Sequence, residues 1–462
     1  MKRIAFSFAF AVVASAFATP TVTISSAAKQ ADGTYKIDYT LSGGPAIITA
    51  DVLTNGVAMG GVGGFSGDVH KKITGDVSHS IVWDPKVAEL PALASLRFSV
   101  RAWETNSPPD YLVVDLQSSS DLRCQYYLSE KAIPGGLLAN AVYRTTALVM
   151  RRIHAAGITW KMGDSKGDGP IAYDNEKPHN VTLPHDYYIA VFPITQGQWK
   201  CVKGVDNDGE RPAYSYPGYR WMRPMQNIRA SYIREGALSM AEQYDGSRYP
   251  NPPGPNGFIG ILNARSGLDF DLPGEAQWEY ACRAGNDNKH WGNGAPIVRS
   301  EWDDETGYHW VGDLNLPGRY ASNGGSGYGI YAEYWTSADT RKPNVGSPIV
   351  GSYQPNAWGI YDMHGCIKEF CLDWYQEDIS HLTEGQVNAN IRKFADGTDV
   401  PDATDMGSPL RVVRGGGFAG SWAMCRAAYR ESVKYRDLEQ KGEIGFRVIC
   451  YHGLDTWTPP AE

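Results

Sequence analysis

Residues 354–375 constrain this chain more than any other stretch. QPNAWGIYDMHGCIKEFCLDWY brings five aromatic rings, two cysteines, three carboxylates and a histidine into 22 positions. Pro355-Asn356 is turn chemistry, because proline presets φ and asparagine tolerates the left-handed region. Gly359 and Gly365 bracket Asp362, where the backbone can fold so that carbonyls and a carboxylate converge. Such an oxygen-rich turn suits a hard cation such as Ca²⁺. The alternative is a carboxylate that only caps local N–H groups. From Ile367 the pattern becomes a short apolar-aromatic run ending in Asp373-Trp374-Tyr375, the mark of a buried strand or turn and not of an exposed helix.

The chain begins with an export signal over residues 1–18. Lys2-Arg3 form a charged start, residues 4–14 a short apolar core, and Ala16-Phe17-Ala18 a small-x-small cleavage site. The apolar run is too short to span about 30 Å of hydrocarbon as an anchor. Cleavage after Ala18 is therefore expected, giving a secreted or periplasmic protein with no membrane span. The full chain carries 43 basic against 51 acidic residues, and cleavage removes two of the bases. An acidic chain without a Lys/Arg cluster does not suit nucleic acid.

Residues 19–120 read as an all-β domain. Tyr35, Ile37, Tyr39 and Leu41 alternate with Lys36, Asp38 and Thr40, and Leu96, Phe98, Val100 and Ala102 alternate with Arg97, Ser99 and Arg101. Both are period-two, half-buried strands. Residues 47–53, 80–83 and 111–116 supply further strands between Gly-, Asn- and Pro-rich turns. Short strands at this density fit an immunoglobulin-like β-sandwich. Ser118-Ser119-Ser120 and Pro134-Gly135-Gly136 mark residues 121–145 as a linker. A second domain follows over 146–453, with a tail at 454–462. The 51 glycines and 28 prolines imply much irregular structure there.

Asn356-Ala-Trp-Gly-Ile-Tyr-Asp-Met-His-Gly365 followed by Glu369-Phe-Cys-Leu-Asp-Trp-Tyr375 resembles the central motif N-A-[WFY]-G-L-[YWF]-D-M-x-G-N-V-W-E-W-x-x-D-W of the formylglycine-generating enzyme family, also called sulfatase-modifying factors. Cys366, Lys368 and Phe370 depart from its usual Asn, Trp and Trp. Further matches lie in order. Trp160-Lys-Met-Gly163 is similar to the family's F-x-M-G, and Glu176-Lys-Pro-His-Asn-Val-Thr-Leu183 to its E-x-P-x-H-x-V-x-L. Leu272-Pro-Gly-Glu-Ala-Gln-Trp-Glu-Tyr-Ala-Cys-Arg-Ala-Gly285 resembles L-P-T-E-A-E-W-E-Y-A-x-R-G-G. Arg411-Val-Val-Arg-Gly-Gly-Gly-Phe418, Cys425-Arg-Ala-Ala-Tyr-Arg430 and Gly445-Phe-Arg447 resemble R-V-x-R-G-G-S-[WF], C-R-x-A-x-R and G-F-R. The resemblance implies an α+β fold of low regular content, related to C-type lectins. The residues themselves read as a short helix that starts after Pro273, has Glu275 in its first turn and ends at Gly285, with Glu279 and Arg283 as an i, i+4 pair.

The resemblance also says where chemistry belongs. The family's aerobic oxidases bind copper through two cysteines just after R-G-G-S. Residues 417–424 contain no cysteine, so copper is not expected. Cys366 and Cys371, spaced C-x₄-C, remain open as a redox or metal pair, with structural disulfides as the alternative in an oxidising compartment. The family pattern implies a bridge between Cys282 and Cys425, with Cys371 as a rival partner for Cys425. Of seven cysteines at least one stays unpaired. The family's calcium would take Asp362 by its side chain, and Met363, Gly365 and Ile367 by backbone oxygen. Trp422, Arg426 and His364 are expected to line a ligand pocket, with loops at 210–260, 300–345 and 418–440. No H-x₃-H-x-E iron element, P-loop or Ser/His/Asp elbow occurs. Two functions follow: a domain that binds a protein, peptide or glycan, or a formylglycine-generating oxidase acting on sulfatases.

Overall fold

The computed structural model describes residues 19–75, 77–88, 95–117, 123–164, 173–205, 217–234, 253–286, 300–303, 307–310, 318–320, 346–381, 410–434 and 443–451. The expected export signal at 1–18, the 454–462 tail, much of the 210–260 and 300–345 loops and residues 435–440 lie outside them. No described helix is long and apolar enough to cross a membrane.

The chain divides into two units between Pro108 and Pro109. In the first, strands Thr21–Lys29, Tyr35–Ser42, Ser78–Trp83 and Phe65–Gly67 form one antiparallel sheet in that order. Ala46–Thr54 pairs with Leu96–Glu104 along its whole length in a second sheet. The alternation in Tyr35–Ser42 places Ile37, Tyr39 and Leu41 inward, where they share one core with Ile48, Val52, Ile81 and Trp83 of both sheets. Thr21–Lys29 was not foreseen as a strand, because it is exposed almost throughout and its apolar alternation ends after Val22 and Ile24.

The boundary at Pro108/Pro109 corrects the one read near residue 120. Strand Tyr111–Asp115 belongs to the second unit, in a six-stranded sheet that runs Arg123–Tyr127, Tyr111–Asp115, Ala147–Ile153, Tyr187–Ala190, Ile449–Cys450 and Phe270–Asp271. Residues 121–145 are thus more than a linker. They hold the strand Arg123–Tyr127 and two 3₁₀ turns. Tyr111 and Val113 share a core with Tyr127, Ile133, Tyr143 and Val149, and that burial assigns the strand to this side.

The second unit is also mostly β. A four-stranded sheet runs Glu431–Lys434, Leu410–Arg414, Lys368–Trp374 and Ile444–Gly445, its last pair parallel. The expected helix forms over Glu275–Arg283. Its left-handed exit begins at Ala284 (φ 50°), one residue before Gly285. Glu279 and Arg283 are i, i+4 partners but not an exposed pair: Glu279 is fully buried and also takes Arg414.

Candidate functional site

Asn356 anchors the central turn. Its Nδ2 donates to the Ala281 carbonyl at 2.7 Å, and its Oδ1 accepts the Trp358 and Ile360 N–H groups at 3.0 and 3.1 Å. One side chain thereby folds the turn and ties it to the carbonyls of Ala281 and Cys282 at the end of the 275–283 helix. Further along, the Gly365 N–H donates to the Gly415 carbonyl at 2.6 Å, joining this turn to the Arg-Gly-Gly-Gly turn.

Buried arginine–carboxylate pairs hold the two turns in place. Arg447 donates to both Glu369 oxygens at 2.6 and 2.8 Å, and Trp278 Nε1 adds a 2.7 Å bond. Arg426 reaches both Glu176 oxygens at 2.8 Å, and Arg430 reaches those of Glu275 at 2.6 and 3.0 Å. Arg414 bonds Glu279 and the Ala427, Ala428 and Tyr429 carbonyls. Two-pronged pairs of this kind fix orientation as well as distance. Each links segments far apart in sequence.

The expected pocket residues take different places. Arg426 is committed to Glu176, beneath the surface. The His364 ring is buried between the Cys282 thiol, 3.6 Å from Nε2, and the Cys425 carbonyl, 2.9 Å from Nδ1. Burial lowers its pKa to about 4, so the ring is neutral. Trp422 opens the 3₁₀ turn Trp422–Cys425, which Ser421 caps by accepting the Ala423 N–H at 3.2 Å.

The cysteines are not bridged. Among the described residues there is no disulfide, and Cys282, Cys366, Cys371 and Cys425 all stand as buried thiols. The His364 ring occupies the space beside Cys282, and the Cys425 sulfur turns toward the Ser421 carbonyl at 3.7 Å. Cys371 packs in the core with Trp278, Met363 and Val412, whereas Cys366 meets Asp362 Oδ1 at 3.5 Å and the Arg319 N–H at 3.4 Å. The C-x₄-C pair is therefore split between two environments. Burial pushes all four thiols upward, away from the reactive thiolate.

Asp362 and Cys366 both adopt left-handed backbone, at φ 60° and 66°. The Asp362 carboxylate accepts the Gly351 N–H at 2.7 Å, and burial raises its pKa to about 6. The Met363 and Ile367 carbonyl oxygens each lie 3.5 Å from the place a Cβ on Gly415 would take, so these two converge. The Gly365 carbonyl accepts the Ile367 N–H at 2.7 Å. Two backbone oxygens of the expected calcium set thus border the same space beside Gly415, while the carboxylate already has a donor.

A group that the sequence reading missed lies under the Arg-Gly-Gly-Gly turn. Glu443 places Oε2 only 1.8 Å from where a Cβ on Gly417 would stand, so a side chain at 417 would have to push this carboxylate aside. Its carboxylate accepts the Ala419 N–H, and burial raises its pKa. Lys368 lies beside it and donates to Glu431 Oε1 at 2.7 Å. Lys368 stands where the motif carries Trp, and Gly417 where it carries Ser. Those two departures were the available signal, but nothing in the linear sequence joined them to Glu431 or Glu443.

The family profile described as "Sulfatase-modifying factor enzyme 1-like domain" matches residues 147–451. The chain belongs to this family. Among its relatives, the formylglycine-generating enzyme of Thermomonospora curvata is 24% identical over 59% of this chain and 82% of its own length. That of Streptomyces coelicolor is 25% identical over 66% and 90%. "Chaperone protein LppX" of Paenibacillus barcinonensis is 27% identical over 42% of this chain, which spans 65% of that protein. Among solved structures, Treponema denticola variable protein 1 aligns over 66% of this chain and 95% of its own, at TM-score 0.41 and 22% identity. Within the family pattern, Asn356, Glu279, Arg283, Arg414, Arg426 and Arg447 of this chain are interior struts. In this sulfatase-modifying-factor domain, buried charge pairs thus hold the central turn and the Arg-Gly-Gly-Gly turn against the 275–283 helix.

Proposed function

We propose that this chain is an exported member of the sulfatase-modifying factor family whose C-terminal domain binds a protein, peptide or glycan ligand and does not oxidise a sulfatase cysteine. The observation that carries this reading is the 417–424 turn, which offers no thiol. Copper redox chemistry of the family's kind needs two soft thiolates close together. The nearest thiol, Cys425, is buried and held protonated. Export rests on Lys2-Arg3, the apolar run and Ala16-Phe17-Ala18. Two antiparallel sheets over one core support an immunoglobulin-like N-terminal unit, and the irregular second unit supports the lectin-related fold.

The second reading, a formylglycine-generating oxidase, draws on relatives that bear that name over most of their length. Incubating the protein with a Cys-x-Pro-x-Arg peptide, copper and oxygen separates the two by mass spectrometry. Unchanged peptide is expected. Conversion of its cysteine to an aldehyde that disappears in Cys366→Ser would overturn the binding reading. Structural Ca²⁺ at Asp362, Met363, Gly365 and Ile367 is part of the proposal. A ligand held only by the native state at a hundredfold excess over Kd adds about 2.7 kcal/mol. Chelator should lower the unfolding midpoint of wild type and leave Asp362→Ala unmoved. Identical wild-type melting in chelator and in millimolar Ca²⁺ would remove calcium from the account.

A further inference from the structure

We propose that the exposed face around Trp221, built from the 3₁₀ turns Ala141–Arg144 and Pro217–Met222 and the helix Gln196–Lys203, docks an acidic protein segment that carries large apolar side chains. Leu138, Val142 and Trp221 are 38%, 44% and 37% exposed. One such side chain on a surface calls for no account, whereas a group of them rimmed by charge marks a place where proteins meet. Across residues 134–146, 196–205 and 217–222 the chain carries Arg144, Lys200, Lys203 and Arg220 and no acid, although its net charge is −8. A positive face on a negative chain selects its partner by charge complementarity.

Close packing at Gly197 brings the pieces together. A Cβ there would stand 2.7 Å from the Thr145 carbonyl oxygen and 2.8 Å from that of Trp221, so both turns come down on one point of the helix. The Thr146 N–H donates to the Val142 carbonyl at 2.9 Å, and Arg144 Nη2 donates to the Leu138 carbonyl at 2.7 Å, which keeps Val142 and Leu138 beside that point. Lys200 Nζ lies 4.7 Å and the Arg220 guanidinium carbon 4.8 Å from the Trp221 ring centre. Arg220 Nε also donates to Gln196 Oε1 at 3.2 Å, which fixes it to the helix. A carboxylate that reaches either cation therefore brings its own chain against the indole. Tryptophan and arginine are also the side chains that most often dominate the energy of a protein interface.

The make-up of the face selects a polypeptide. An acidic sugar polymer would meet the cations but offers no large aliphatic side chain to cover Leu138 and Val142. A bilayer contact needs apolar side chains that reach about 5–10 Å into the headgroup boundary. These three are each more than half covered by the rest of the chain, so they form a floor and not prongs. A segment that combines Asp or Glu with Leu, Ile or Phe satisfies both parts of the face. The inference rests on the reading that this chain binds a ligand and does not oxidise one; it names that ligand as protein and gives it a place.

The test selects a phage-displayed library of random dodecapeptides on the full chain at low salt. Enriched sequences should combine Asp or Glu with Leu, Ile, Phe or Trp. Fluorescence anisotropy then follows one enriched peptide, labelled with fluorescein. Its apparent Kd should weaken at least tenfold with Lys200→Glu/Arg220→Glu, with Trp221→Ala, and with a peptide whose acids are replaced by amides; high salt should weaken it too. Circular dichroism checks that each variant is folded; should Trp221→Ala not fold, the charge variant and Val142→Asp still decide. No enrichment, enrichment of neutral or basic sequences, or an enriched peptide that binds the charge-reversed variant as it binds wild type would overturn the proposal. So would phosphatidylglycerol vesicles or heparin that bind at this face, judged by the same variants, more tightly than any enriched peptide. The peptide-oxidation assay is read separately: oxidation with this face intact would remove the binding reading alone, and loss of the face with no oxidation would remove this inference alone.

Discussion

Glu369→Gln tests whether the buried charge pairs are what hold the site's two turns together. Glu369 accepts Arg447 Nε and Nη2 at 2.6 and 2.8 Å and Trp278 Nε1 at 2.7 Å, with no exposed surface on the Glu369 or Arg447 side chains. The amide keeps the volume but leaves the guanidinium charge uncompensated and turns one acceptor into a donor. Removing one partner of a buried pair costs about 3–5 kcal/mol, because the other charge stays desolvated. The second unit has roughly 350 residues, so its unfolding entropy is about 0.7 kcal/mol/K and the expected loss is about 4–7 °C. Differential scanning calorimetry of the full chain reads it, with urea unfolding followed by tryptophan fluorescence as the second measure. The double variant Glu369→Leu/Arg447→Met should recover most of the loss, since an apolar pair in place of a buried ion pair is often neutral. A residual penalty of about 1–3 kcal/mol should remain, because Trp278 Nε1 loses its acceptor. A midpoint for Glu369→Gln within a degree of wild type, or a double variant less stable than the sum of its singles, would refute the claim that this pair acts as a strut.

Three further outcomes follow. His154 lies between Asp110 and Asp186, whose carboxylates raise its pKa to about 9, above the unfolded value near 6.5. The contribution is full below about pH 6.5 and lost as pH rises through 9, so the urea midpoints of wild type and His154→Gln should differ most at pH 6 and converge by about pH 10; a gap that widens with pH would reverse the assignment. Cys366 sits at φ 66°, so Cys366→Asn should melt close to wild type and Cys366→Val about 1–3 kcal/mol below it, and equal melting of the two would deny the strain. A fragment starting at Pro109 should keep the second unit's calorimetric transition, whereas one starting at Ser119 loses the strand between Arg123–Tyr127 and Ala147–Ile153 and should be insoluble or melt far lower; equal behaviour of the two fragments would move the boundary back.

Much of this protein was legible without coordinates because the relevant physics is local. Period-two alternation marks Tyr35–Ser42 and Leu96–Glu104 as strands wherever they lie, since successive side chains point to opposite faces. Turn chemistry marks Asn356, and the helix 275–283 follows from its pattern and its glycine stop. The ordered motifs place residues 147–451 in their family. What the sequence left open depends on long-range partners. The apolar run 111–116 reads as a strand without saying whose sheet it joins, because only burial against Tyr127 and Val149 decides that. Motif matching singled out Cys282, Cys425, Arg426 and His364 without showing that a ring separates the first two and that the last two are buried. Lys368 appeared as a departure from the central motif, and Gly417 lay unremarked in a segment that matched. Only the pairing of Lys368 with Ile444, and the space beneath Gly417, bring Glu443 to them, because a carboxylate's environment is set by whatever packs around it and not by its neighbours in the chain.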